Sequence, residues 1–399
     1  MKKTLLLLLF AACIGPAQAD SPPAHDMTQM WQAMLAKPAM AVAAAFDEDG
    51  RLWRAQVRDG HLWVSRSDNA GANYGEPVRV NAEPEAIAAD GENRPKLVAK
   101  GGVLYVSWTR SLDKPMTGDI RFSRSSDGGR SFSVPVTVND NREIISHRFD
   151  AMTVNAKGQV YIAWLDKRDL NEARKAGKEY AGAALYYAVS DDGGKRFRRN
   201  VKVADHTCEC CRTAMALDTD GVPVVAWRHV YDGNIRDHAI VKLDGKATMA
   251  RLGQENWNVA ACPHHGPSIS IAKDGAYHAA WFSNAPEKRG LFYAYSTDRG
   301  KTFSTPLNFG KPAVQAAHPA VLSLGERVHL AWKEFDGEHT RIVAMSSGDG
   351  GKNKNWSVPV SLASTADASD SPLLIERKGR VYLSWNTKNE GHRVIEAHQ

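Results

Sequence analysis

A short apolar strand ending in tryptophan recurs six times along the chain: Leu104–Trp108, Val160–Trp164, Pro223–Trp227, Tyr277–Trp281, Val328–Trp332 and Val381–Trp385. Successive tryptophans stand 56, 63, 54, 51 and 53 residues apart. Leu52–Gln56 holds the same place 52 residues before Trp108, with Gln56 in the tryptophan position. Each unit opens with another short strand and a glycine-rich or polar turn, such as Ala99-Lys100-Gly101-Gly102 or Ala272-Lys273-Asp274-Gly275. A variable polar stretch follows each tryptophan, and then a third strand. Units of roughly 50 residues with four short strands each are the pattern of a β-propeller. One such sheet cannot bury both of its faces alone, whereas closing a ring buries them all and leaves few exposed edges. The repeat therefore predicts an all-β propeller with tryptophans in the blade-to-blade core. Seven units are counted, the last (371–399) short of a fourth strand; six blades with one unit split is the alternative.

Several third strands end in one phrase. Ser125-Ser126-Asp127-Gly128-Gly129-Arg130-Ser131-Phe132, Ser190-Asp191-Asp192-Gly193-Gly194-Lys195-Arg196-Phe197 and Ser296-Thr297-Asp298-Arg299-Gly300-Lys301-Thr302-Phe303 are clear copies. Looser copies run over Ser65–Tyr74 and Ser347–Trp356. The phrase describes a turn in which Asp accepts bonds from nearby backbone N–H groups, Gly takes a positive φ and the aromatic tucks back under the hairpin. This Ser-x-Asp-x-Gly-x-x-Phe pattern resembles the Asp-box, or BNR repeat, and over residues 40–399 the chain is similar to the sialidase-like propeller superfamily. The resemblance implies that these turns are structural and lie on the side away from the working face. It also implies that binding without catalysis is as much an option as hydrolysis.

The first 19 residues carry an address. Met1-Lys2-Lys3 is a basic start, Leu5–Ala12 is apolar but too short to span a bilayer, and Ala17-Gln18-Ala19 fits a small-residue cleavage site. The expected product begins at Asp20 and is secreted or periplasmic; cleavage before Cys13 as a lipoprotein is the weaker alternative. A segment 20–39, with a short helix over 24–37, precedes the propeller domain 40–399. Met27, Met30 and Met34, beside His25 and Trp31, have a copper-handling look, but spacings of three and four also place them on one packing face of a helix. Downstream no apolar run approaches about 18 residues, so no membrane span is expected. With 51 Lys+Arg against 45 Asp+Glu, 43% hydrophobic and 24% charged residues, the composition excludes disordered, collagen-like and coiled-coil chains. The net charge of +6 carries no basic cluster, which argues against nucleic acid as a partner.

In a propeller the connections between units and the loops after each tryptophan share one face, opposite the Asp-box turns. Aligning the repeats puts Met40, Arg94, His147 with Arg148, Cys208–Arg212, Cys262 with His264 and His265, His318 and Asp370 on one ring at the channel mouth. Arg110, Asp166, Arg168, Arg228, His229 and Glu334 join from the loops after the tryptophans. The longest such loop, 165–183, reads as a solvated segment or a lid.

His206-Thr207-Cys208-Glu209-Cys210-Cys211 and Cys262-Pro263-His264-His265 occupy equivalent places in neighbouring units. Thiolates and imidazoles together suit soft or borderline metals. The candidate ligands are Cys208, Cys210, Cys211, Cys262, His264 and His265, with His147, His206 and His318 in support. Thiolate softness favours copper, with zinc as the alternative. Disulfides among the same cysteines are the competing expectation in an oxidising compartment. A metal ion or small ligand, a glycan, or another periplasmic or envelope protein are the partners this face suggests.

The sialidase resemblance implies a different use of that face: an arginine clamp on a carboxylate, a Tyr nucleophile and an acid. Asn93-Arg94-Pro95-Lys96-Leu97 is similar to the family's Arg-Ile-Pro entry with the Ile missing, which makes Arg94 the first clamp candidate. Arg148, Arg212 and Arg228 are the others, Asp150 and Glu334 the acids, and Tyr231 the nucleophile. Inter-blade salt bridges are the competing expectation for these arginines.

Overall fold

The computed structural model describes residues 39–397 other than 247 and 354. The cleavage site after Ala19, Cys13 and the 24–37 helix with its methionines lie outside the described residues. Seven antiparallel sheets form a β-propeller with seven blades, which settles the count against six. Six blades have four strands, and the seventh has three among the described residues.

Each blade is built around its second strand. These are Leu52–Arg58, Val103–Ser111, Val160–Asp166, Pro223–Arg228, Tyr277–Ala285, Arg327–Phe335 and Arg380–Thr387. They read as near-continuous apolar runs because both of their faces are covered, one by each neighbouring blade. Trp108, Trp164, Trp227, Trp281, Trp332 and Trp385 are among the largest fully buried side chains. Five of these six indoles place their buried N–H on an acceptor, and that of Trp227 has none. Trp108 donates to Glu85 (2.8 Å), Trp164 to Asp166 (2.9 Å), Trp281 to Glu255 (3.2 Å) and Trp332 to Glu334 (2.7 Å). A carboxylate from the loop face therefore caps four of the repeat tryptophans.

The Ser-x-Asp turns have the expected geometry. Ser125 Oγ donates to Asp127 Oδ1 (2.8 Å) and accepts from Gly129 N (2.9 Å), while Asp127 Oδ1 also accepts from Arg130 N and Ser131 N at 3.0 Å each. The turns at Ser190, Ser296 and Ser347 repeat the serine–aspartate pair. Gly129 is obligatory for two reasons. Its φ is +80°, and a Cβ there would sit 2.5 Å from the Trp53 ring of the preceding blade.

Among the described residues the ring closes between blades seven and one without a completing outer strand. Val42 N donates to Asp370 Oδ2 (3.1 Å), Asn386 Nδ2 to Met40 O (2.9 Å) and Arg94 Nη2 to Ser371 O (2.7 Å). The Arg94 guanidinium also pairs with the Asp370 carboxylate at 2.5 Å. Phe46 packs on Tyr382 with ring centroids 5.3 Å apart. The expected solvated loop after Trp164 is instead partly helical. Helix α1 (Arg168–Lys175) buries Leu170 and is held at its start by Arg168 pairing with Asp166 and Asp140.

Candidate metal centre at the mouth of the propeller

Segment 208–212 links the outer strand of blade three (Val201–Thr207) to the inner strand of blade four (Ala214–Leu217). Its path is set by backbone bonds to the end of the second strand of blade four: Cys208 N donates to Arg228 O (2.9 Å) and Val230 N to His206 O (2.7 Å). Lys167, from the loop before α1, holds Glu209 at 2.7 Å. The next connection, 252–267, carries Cys262-Pro263-His264-His265 and then Gly266. A Cβ on Gly266 would fall 2.3 Å from both Cγ and the carbonyl O of Arg212, so the two connections meet at van der Waals contact only because residue 266 is glycine.

The contact brings the sulfurs together. Cys208, Cys210 and Cys211 are buried, Cys262 is exposed, and all four are free. Cys208 Sγ lies 3.7 Å from the Sγ atoms of both Cys210 and Cys211. The ligand atoms of Cys208, Cys210 and Cys211 all lie within 4.8 Å of one another, and so do those of Cys210, Cys262 and His264. These groups have the donor chemistry and spacing to hold a metal ion. Hydrogen bonds from the Cys210 and Cys211 thiols, with the Arg228 and Arg236 guanidiniums beyond them, hold the Cys208 thiol well below its ordinary range. Arg236 Nη1 donates to Cys208 Sγ at 3.3 Å. Donation to Cys208 raises Cys210, and burial raises Cys211. Cys262 is lowered by its contact with Cys210.

Candidate ligand His265 and the supporting His147, His206 and His318 fall outside both donor groups and have other engagements. His147, fully buried, directs Nδ1 to Gly118 O (2.9 Å). His206 directs Nδ1 to Ala181 O (3.2 Å) and packs on Tyr180 with centroids 4.7 Å apart. His265 stacks on Phe282 (4.1 Å) and His318 (4.6 Å), and burial first, then His318, pushes its imidazole down to about 2. His318 Nδ1 stands 3.3 Å from Glu92 Oε1.

Glu92 is the mouth residue that the repeat alignment missed. It is buried at the entry to blade two, and its carboxylate accepts from Arg212 N (2.8 Å), Arg212 Nη1 (2.7 Å) and Gly266 N (2.9 Å). It thus ties connections of blades two, four, five and six across the mouth. It lies two residues before Arg94, but a lone Glu carries no motif. Arg236 was missed for the same reason.

The residues considered for hydrolysis are largely committed to other partners within the propeller. Arg94 pairs with Asp370 and Arg212 with Glu92. Arg228, fully buried, donates to the carbonyls of Arg236 (2.7 Å), His265 (2.9 Å) and Phe282 (2.9 Å). Arg148 is buried over the Phe149 ring at 4.7 Å, with its Nε lacking a hydrogen-bond partner. Asp150 accepts from Ser107 Oγ (2.6 Å) and faces Lys96 Nζ at 3.9 Å. Glu334 caps Trp332. Tyr231 packs against His229 and Arg251, and burial pushes its phenol up to about 12. Beside the Cys/His cluster, between blades five and six, a cavity of about 530 Å³ is lined by Phe282, Phe335, His265, His318, Lys333 and Arg289.

No protein-family model and no curated protein matches the chain. Solved structures do. The BP39L lectin from Burkholderia pseudomallei superposes with a TM-score of 0.55 at 11% identity, over 89% of this chain and 97% of the lectin. A PL25 ulvan lyase matches with a TM-score of 0.54 at 10% identity, over 91% of each chain. The Hadza microbial sialidase Hz136 matches with a TM-score of 0.50 at 16% identity, over 82% of this chain and 71% of that one. At these identities the likeness is one of fold. Among the described residues no helix is long and apolar enough to cross a membrane.

Proposed function

We propose that the protein binds a soft transition metal at the mouth of the propeller, copper before zinc, through Cys208, Cys210, Cys211, Cys262 and His264. The observation that carries the reading is the convergence of four sulfurs and an imidazole from two separate inter-blade connections. Packing alone gives no reason for three cysteines in four residues to meet a fourth from another blade. Cys208 is buried with Arg236 Nη1 3.3 Å from its sulfur, which favours thiolate over thiol there and so favours a cation. Copper is preferred because its monovalent form is soft and takes thiolates readily. A metal-binding protein exported by the leader at 1–19 would store, deliver or sense copper in the periplasm. The test is metal analysis of untagged, reduced protein, followed by titration with Cu(I) and with Zn(II). Tight uptake of either supports the reading, and uptake of neither removes it.

A glycan is the second reading, favoured by the cavity between blades five and six, where two aromatic rings flank imidazole and ammonium groups. The lectin, lyase and sialidase among the structures of similar fold fit it. A fluorogenic sialoside and a glycan-binding screen test it: turnover supports hydrolysis, capture without turnover supports a lectin, and the absence of both removes the glycan.

A further inference from the structure

Cys210 belongs to both donor groups. One group is Cys208, Cys210 and Cys211, all buried; the other is Cys210, Cys262 and His264, reaching the surface. We infer that the site takes two metal ions bridged by the Cys210 thiolate, an inference that rests on the metal-binding reading above.

A thiolate sulfur binds such an ion at about 2.3 Å, so two sulfurs on one ion stand no more than about 4.6 Å apart. The ligand atoms of each group of three lie within 4.8 Å of one another, close to that limit, but the five donor atoms do not form a single such group. One ion cannot therefore collect all five donors, whereas two ions can if they share the sulfur common to both sets. A thiolate has the lone pairs to bind two ions at once. Each ion then receives three protein donors: three sulfurs in the buried position, two sulfurs and one imidazole nitrogen in the outer position. Three donors satisfy Cu(I), whereas a structural zinc takes four.

Charge points the same way. Four thiolates and two monovalent ions leave two negative charges on the cluster. Arg236 lies 3.3 Å from Cys208 Sγ, and Arg148 is buried nearby with its Nε unpartnered. A buried anionic cluster needs such fixed cations beside it.

The arrangement also has a direction. The inner ion is enclosed, while the outer one, held by exposed Cys262 and by His264, is the position through which an ion enters or leaves. Exchange between a partner and the outer position needs no opening of the buried sulfurs.

The experiment is anaerobic loading of the reduced chain with Cu(I), read as ions per chain by native mass spectrometry and as affinity by competition with a Cu(I) chelator. Wild type is expected to saturate at two. The double variant Cys262→Ala/His264→Ala, altered only on the outer connection, is expected to saturate at one. Cys210→Ser is expected to weaken both positions by about ten-fold or more. Circular dichroism of each apo variant checks that the propeller is intact. Saturation of folded wild type at one ion, or a double variant that still takes two, overturns the bridge and leaves metal binding standing. No uptake of Cu(I) by wild type overturns the bridge, and no uptake of Zn(II) either overturns metal binding with it.

Discussion

Arg212 gives Glu92 two hydrogen bonds, one from its backbone N at 2.8 Å and one from Nη1 at 2.7 Å. The carboxylate that an arginine clamp would seek in a ligand is supplied by the protein itself. Burial pushes the Glu92 carboxyl up, but Arg212 and His318 outweigh burial and hold it down at about 2, from an ordinary value of 4.5. A depressed carboxyl stabilises the fold fully above its unfolded value, and that stability is lost as the pH falls from about 4.5 towards 2. Glu92→Gln is expected to cost about 2 to 3 kcal/mol at neutral pH and to flatten the acid limb of stability in that window. Urea unfolding as a function of pH measures both.

A second acid-sensitive group sits between blades five and six. His278 is buried, with Nδ1 2.7 Å from Tyr293 Oη, and burial pushes its imidazole down to about 4 from 6.5. The unfolded chain binds this proton first, so stability is complete above 6.5 and declines as the pH falls from there to 4. The loss from this group is expected to reach about 2 kcal/mol at pH 5. Thermal unfolding of wild type and His278→Gln at pH 7 and pH 5 checks it, the variant showing the smaller difference between the two.

Glu334 tests the tryptophan caps. Glu334→Ala leaves the buried Trp332 N–H without its acceptor, and a loss of about 1 to 3 kcal/mol is expected. Metal uptake should be unchanged, since Glu334 belongs to neither donor group. Chemical denaturation and copper titration of the one variant separate a structural role from a functional one.

Arg94 tests ring closure. Arg94→Ala strips the fully buried Asp370 of its partner and removes the bridge to Ser371 O. A loss of about 3 to 5 kcal/mol is expected, as for one half of a buried ion pair. Hydrogen exchange should show it first at the seam between blades seven and one, where no completing outer strand is present among the described residues.

The blades were legible because repetition amplifies a weak local signal. One Val160–Trp164 strand means little, but six such strands at near-constant spacing allow few folds other than a ring. The same alignment put Cys208–Cys211 and Cys262 with His264 in adjacent connections, so their meeting followed from topology. The ring could not separate His264 from His265. These adjacent side chains diverge, one towards Cys210 and the other onto Phe282 and His318. Helix α1 was hidden in a charged stretch whose one buried residue, Leu170, left no apolar period to read. Glu92 and Arg236 were silent because long-range ion pairing leaves no trace in local sequence.

The central claim is that these two connections form a metal centre, and anomalous diffraction tests it most directly. Crystals of reduced, copper-loaded protein measured at the copper edge should show density within bonding distance of Cys210 Sγ, Cys262 Sγ and the His264 ring. Copper found elsewhere in the molecule, or an empty mouth in protein that has taken up copper, contradicts the account.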